Sequence, residues 1–375
     1  MAEFEIGGST SSPHRQVAES QPAVRNEQPF NLNNREILFP AQFKTESDRA
    51  RTELSNDAWR PTLEVKNGES IQRAIDRAPD GSVIHVQPGT YRERLVINRD
   101  NITLKGDGKA VLDLDGKNIS GAAIQLSDRK NVTIAGFEIK NVRGGETPTG
   151  IRVDGASKNI ALLNNNIHHV ESDDNAHGIA VFGTKATPLS NVRIEGNRLH
   201  DLKLGQSETL VVNGNVDGFR IVGNRVHDND NIGIDIIGGE GVSKGGLDRA
   251  RNGLIANNQV YNIDSLKNPT YRSRSAAGIY VDGGSDITIR ENDIFNSNYG
   301  IELASERRGW NTERIRVQNN RISGSHLAGI TLGGGSPGNG GVSDSVVENN
   351  DLRGNAKPIW RQNNVKDDVY IRNNK

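Results

Sequence analysis

From about residue 60 onward one pattern returns at a nearly fixed interval, and it restricts the fold of this 375-residue chain more than any other feature. An asparagine followed, after one intervening residue, by an aliphatic recurs at Asn165, Asn197, Asn224, Asn258, Asn292, Asn320 and Asn350, with spacings of 32, 27, 34, 34, 28 and 30 residues. A second element, Gly-Ile-x-aliphatic, accompanies it as "GIRV", "GIAV", "GIDI", "GIYV", "GIEL" and "GITL". Intervals of this size mark solenoids, in which each unit buries its apolar face only by stacking on the next. Within a unit the apolar residues alternate over three to five positions, as in "NVTIAGFEI" and "DITIRENDI", which is the period of a strand. Each unit is therefore a turn of short strands joined by Asn- and Gly-rich corners. Inward residues form aliphatic columns, and the corner asparagines are placed to bond along the stack.

Composition agrees with a narrow interior. Hydrophobic residues make up 33% of the chain and aromatic ones 5%, against the roughly 45–50% apolar content of ordinary globular domains. Lys and Arg number 46 and Asp and Glu 47, so no basic excess points to nucleic acid or to an anionic membrane surface. No apolar run reaches the length of a membrane span, and membrane insertion is not expected. The chain has no cysteine, which excludes disulfides and thiolate metal sites. Residues 1–60, rich in Ser, Pro, Gln and Asn, are expected to be a mostly flexible leader, and 61–375 the repeat domain. The leader lacks the apolar core of a signal peptide. At the start of the repeats, "SIQRAIDRAPDG" places Ile71, Ala74, Ile75 and Ala78 at helical spacing, with Ser70 as N-cap and Pro79 and Gly81 as stops. A helix there would cover the apolar interior of the first turn.

This combination resembles the right-handed parallel β-helix proteins of the pectate-lyase-like superfamily over roughly residues 60–375. The resemblance implies an all-β solenoid with an N-terminal capping helix. It also implies a monomeric, secreted or cell-surface protein acting on a polysaccharide, and the superfamily includes lyases, hydrolases, epimerases and inactive relatives.

A site is expected where the repeat departs from its own consensus. If the Ile and the aliphatic of Gly-Ile-x-aliphatic point inward, x points outward, giving Arg152, Ala180, Val211, Asp235, Tyr280, Glu302 and Thr331 along the stack. Two residues later the outward column contains Asn213, Ile237 and Asp282. Adjacent turns are about 4.8 Å apart, so Asp235, Tyr280, Glu302 and Asp282 would form one polar patch. On this reading Asp235 faces solvent and needs no buried partner. The longest insertions flank the same turns and are expected to bring Glu240, Lys244, Arg272, Arg274, Arg307, Arg308 and Trp310 to the patch as substrate-binding walls. His168, His169 and His177 read as surface or corner residues.

Oxygen ligands for calcium are expected from Asp230 and Asp235, with Glu208, Glu240 or Asp282 adding charge and Asn213 and Asn231 neutral oxygens. Asp228 serves equally well as a turn former. The Asp235 strand is similar to the calcium-binding turn of polysaccharide lyase family 9, which implies a lysine base on the next turn, where this chain has Tyr280. Three functions stay open. The first is β-elimination on an acidic, uronate-containing glycan, with calcium or arginine stabilising the enolate-like charge and Tyr280, Lys244 or an arginine such as Arg274 as base. The second is hydrolysis by paired carboxylates among Asp235, Asp282 and Glu302. The third is non-catalytic carbohydrate binding.

Overall fold

The computed structural model describes residues 60–115 and 121–375; the expected leader lies outside the described residues. The chain winds as a parallel β-helix. All of its strand-to-strand ladders are parallel, and they fall into a ten-stranded and a twenty-stranded sheet. Two long strands, Thr103–Asp113 and Lys130–Arg143, turn a corner and so join two faces of the coil into the larger sheet. The ten-stranded sheet carries the Gly-Ile-x-aliphatic strands in register, with Arg152, Ala180, Val211, Asp235, Tyr280, Glu302 and Thr331 on successive turns. The inward Ile, Val and Leu of all faces merge into one continuous core.

The helix Ile71–Arg77 forms as its capping signals dictate: Ser70 Oγ accepts the Arg73 N–H at 3.2 Å, and Ile71, Ala74 and Ile75 are buried. A second device was not foreseen. The Glu93 carboxylate, from the next turn, accepts the N–H groups of Ile71 at 2.6 Å and Gln72 at 3.2 Å, satisfying donors that a helix start leaves open. The helix packs on the strands Thr62–Val65, Val83–Val86 and Leu95–Ile97, at the first end of the core.

The asparagine signature is an internal ladder. At Asn165, Asn197, Asn224, Asn258, Asn292 and Asn320 the backbone N–H donates to the side-chain oxygen of the asparagine one turn on, at 2.9–3.0 Å. Each amide nitrogen also reaches a main-chain carbonyl of the preceding turn, as Asn224 does to Ile194 at 2.8 Å. The residue before the ladder asparagine takes a left-handed conformation, as at Asn257 (φ 55°) and Asn319 (φ 57°), which turns the corner. Three residues after the asparagine a second ladder stands on the outside: His168, His200, His227, Tyr261 and Phe295, with ring centroids 4.7–5.0 Å apart.

Candidate functional site

Around Asp235 the outward columns are not a solvent face. Asp235 is 2% exposed, Tyr280 6%, Asp282 6% and Asn213 5%, and one insertion lies against this sheet through Glu306 on Asp282 and Trp310 on Gly283. Asp235 is therefore a buried acid outside the core, which corrects the expectation that it needs no partner. Its Oδ1 has no hydrogen-bond partner, and neither has Asn213 Oδ1 or Thr331 Oγ1, all on this same face.

A third outward column was missed. The glycine of each Gly-Ile-x-aliphatic strand sits at the corner with its α-hydrogen side inward: a Cβ would lie 2.7 Å from Ile167 Cγ2 at Gly150 and 2.8 Å from Ile294 Cγ2 at Gly278. The residue before that glycine consequently points out, where strict alternation had put it inside. This column holds His177, Glu208 and Tyr299. Tyr299 and Tyr280 pack with Ala277, Ala304 and Ala328 in a cluster separate from the core, with Trp360 beside it. His177 is buried, with Nδ1 3.0 Å from the Glu208 carbonyl oxygen, and burial pulls its imidazole down to about 4. It is not the surface histidine expected.

The carboxylates gather. Burial, then the charges of Glu208, Asp282, Glu306 and Glu240, raise Asp235 well above the usual carboxylate range. Burial, with Glu240 next, pushes Glu208 up to about 8. Burial, with Glu306 next, pushes Glu302 up to about 8 and lifts Asp282 well above its ordinary value. Glu240, at the rim, is raised by its surroundings and by Glu306, with Arg307 the one cation opposing it. Glu306 is thus the centre of this field; its backbone N–H donates to Asp282 Oδ1 at 2.8 Å. It lies in "ASERRGWNTER", an insertion whose arginines drew the eye instead. Tyr271, from the loop before the Tyr280 strand, closes another side and is pushed up to about 12 by burial and by Glu208 and Glu306.

The expected cations do not assemble here. Lys244 is exposed on a loop that folds back towards earlier turns, its N–H on the Thr184 carbonyl at 3.4 Å and the neighbouring Ser243 hydroxyl on that of Lys185 at 3.2 Å. Arg274 pairs with Asp264 at 3.3 Å and Arg272 donates to the Pro269 carbonyl at 3.1 Å, both within their own loop. Arg308 is exposed. Trp310 forms wall rather than platform: its indole N–H donates to Gly283 O at 3.0 Å and Arg249 lies 4.3 Å over the ring. Asp230 also stands apart, since its Oδ1 caps the Leu204 N–H at 2.8 Å and Asn268 bonds it too.

Two chemical roles change as a result. Burial and the neighbouring Asp282 and Glu302 charges raise Tyr280 well above 10, so it is suited to donate a hydrogen bond and not to act as a phenolate base. The calcium set expected from Asp230, Asp235, Glu208 and Glu240 is narrowed by the separate placement of Asp230, and among the described residues no group of three His, Asp or Glu side chains is placed to hold a metal ion.

The field at Glu302 gives a stability prediction. Its folded value, about 8, lies above the ordinary 4.5, so between these values the folded state holds a proton the unfolded chain releases. Stability then falls as pH rises through that window. Glu302→Gln is expected to reduce the dependence, the rest being due to Glu208, Asp235 and Asp282, and to stabilise the protein at pH 8 by on the order of 2 kcal/mol, allowing for partial solvent contact. Thermal melts of both proteins from pH 5 to 9 check this.

Comparison with known proteins agrees with the fold. Over 298 residues the chain is 35% identical to "Uncharacterized protein YwoF" of Bacillus subtilis, covering 75% of this chain and 63% of that protein, so it spans less than two thirds of this relative. Among solved structures, it superposes on the GH136 lacto-N-biosidase of Eubacterium ramulus with a TM-score of 0.57 and 14% identity, covering 88% of this chain and 69% of the other. The mannuronan C-5 epimerase AlgE6 A-module of Azotobacter vinelandii gives a TM-score of 0.51 and 14% identity, covering 81% and 93%. These likenesses are of fold. Residues 97–375 match the family described as "Right handed beta helix region", and the chain belongs to that family.

Proposed function

We propose that this β-helix is a glycan-cleaving enzyme acting by hydrolysis, with carboxyl groups on the face around Asp235 as its acid and base. The observation that carries this reading is a set of mutually repelling carboxyl groups around two buried ones, Asp235 and Asp282, with Asp235 Oδ1 unpartnered. Two like charges this close do not both ionise easily, so part of the set keeps its protons near neutral pH. Glu302 serves as the protonated acid for the leaving oxygen, and the Glu208–Asp235 pair, sharing one charge, as the base. Asp235 and Glu302 lie two turns apart, about 9.6 Å at the backbone, near the upper end of the roughly 6.5–9.5 Å used for inversion. Tyr280, between them, donates a hydrogen bond to the sugar. Enzymes of polymeric glycans work at the cell surface or beyond it, which is the location we assign.

A second reading, calcium-assisted β-elimination on a uronate glycan, draws support from Asp235 Oδ1 and Asn213 Oδ1, orphan oxygens of the kind a hard cation takes. Incubation with neutral, amino-sugar and uronate glycans, with calcium or chelator, separates the two. We expect new reducing ends without ultraviolet absorbance and without effect of chelator. A calcium-dependent rise in absorbance on pectate or alginate would replace hydrolysis by elimination, and binding with no turnover would leave a carbohydrate-binding protein.

A further inference from the structure

We propose that the acidic face around Asp235 selects an amine-bearing glycan, a polymer or oligomer with free amino-sugar residues, and holds the ammonium group between Asp235 and Asn213. The inference rests on the glycan-cleaving reading and names its substrate class. Its first support is the sign of the site. Glu208, Asp235, Asp282, Glu302, Glu240 and Glu306 face one another, while neighbouring cations are engaged elsewhere: Arg152 on Asp154 at 2.9 Å, Lys185 on Asp128 at 2.6 Å and Arg274 on Asp264 at 3.3 Å. Arg307 opposes Glu240, a member of the set, at the rim. A uronate chain would add a further anion to this field.

The second support is the kind of hydrogen-bonding capacity left over. Asp235 Oδ1 and Asn213 Oδ1 are acceptors on side chains 2% and 5% exposed, and both lack donors. Buried acceptors of this kind call for a group that only donates, and an ammonium has three N–H donors and no acceptor. An N-acetyl group would offer one N–H donor in place of three and would bring a carbonyl acceptor and a methyl with it. Tyr280 and Tyr299, packed side by side on the following turns, add ring surface against which a cationic sugar is held.

Calorimetric titration of the full chain with glucosamine oligomers, their N-acetylated counterparts and galacturonate oligomers tests the assignment. We expect at least tenfold tighter binding of the amine form, weakened several-fold between low and high salt. Asp235→Asn and Asn213→Ala should each lower amine binding about tenfold and narrow its margin over the acetylated form. Equal or tighter binding of acetylated or uronate oligomers, or binding of none, overturns the proposal. Amine oligomers bound with this preference but not cleaved would sustain it while refuting hydrolysis. Cleavage of acetylated oligomers with no preference for the amine would do the reverse.

Discussion

Asp235→Asn is expected to lower glycan turnover on the order of 10³-fold, the usual range for loss of a positioned acid or base, while the melting temperature holds or rises. The reasoning is local. Asparagine keeps the size of the side chain but carries no carboxyl proton to exchange, and it removes the acid that Glu208, Asp282, Glu306 and Glu240 act on. The scaffold does not need the charge, because the carboxyl is buried with one oxygen unpartnered and other acids around it. A neutral amide there ends a repulsion instead of breaking an ion pair. Unfolding followed by circular dichroism, beside a reducing-end assay, measures both quantities on one preparation. Turnover within a few-fold of the parent would remove Asp235 from the chemistry.

The largest expected stability loss lies far from that face, in the asparagine ladder. Asn258→Ala deletes the donor to the Ile221 carbonyl at 2.9 Å and the acceptor for the Asn224 backbone N–H at 2.9 Å and amide at 3.0 Å. All of these groups are buried, so no water replaces the lost partner. At about 1–3 kcal/mol for each buried group left unsatisfied, and with losses that are not additive, a destabilisation of roughly 3–5 kcal/mol is expected. Urea unfolding of the variant checks it. A loss below about 1 kcal/mol would mean that the ladder follows from the coil and does little to hold it.

The two cases differ in how far the sequence discloses them. The ladder is legible because one residue type returns at one corner, and its bonds run only to the neighbouring turns. The stacked column His168, His200, His227, Tyr261 and Phe295 carries the same periodic signal, three residues after each ladder asparagine, and was readable from it. The x column was also readable, since period-2 alternation fixes Asp235, Tyr280 and Glu302 on one side. Alternation fails at the corner glycine, which conceals the outward placement of Glu208, Tyr299 and His177.

Loops were the harder part. Their composition suggested cationic walls, but a loop's direction depends on where its backbone finds hydrogen bonds. The Lys244 loop finds them on Thr184 and Lys185, two turns back, and Trp310 finds one on Gly283. The sign of the site changed accordingly, from mixed charge suited to an anionic sugar to an acid cluster with Glu306 over it. Burial of Asp235 was equally hidden, because what covers it comes from segments distant in sequence.

The most direct test of the central claim is the source of oxygen in the product. Digestion in water enriched in heavy oxygen, followed by mass spectrometry of the released oligosaccharides, distinguishes the possible chemistries in one measurement. The account predicts one heavy oxygen at each newly formed reducing end, formed on the order of 10³-fold more slowly by Asp235→Asn. Unsaturated products without heavy oxygen, formed by the parent protein, would contradict it.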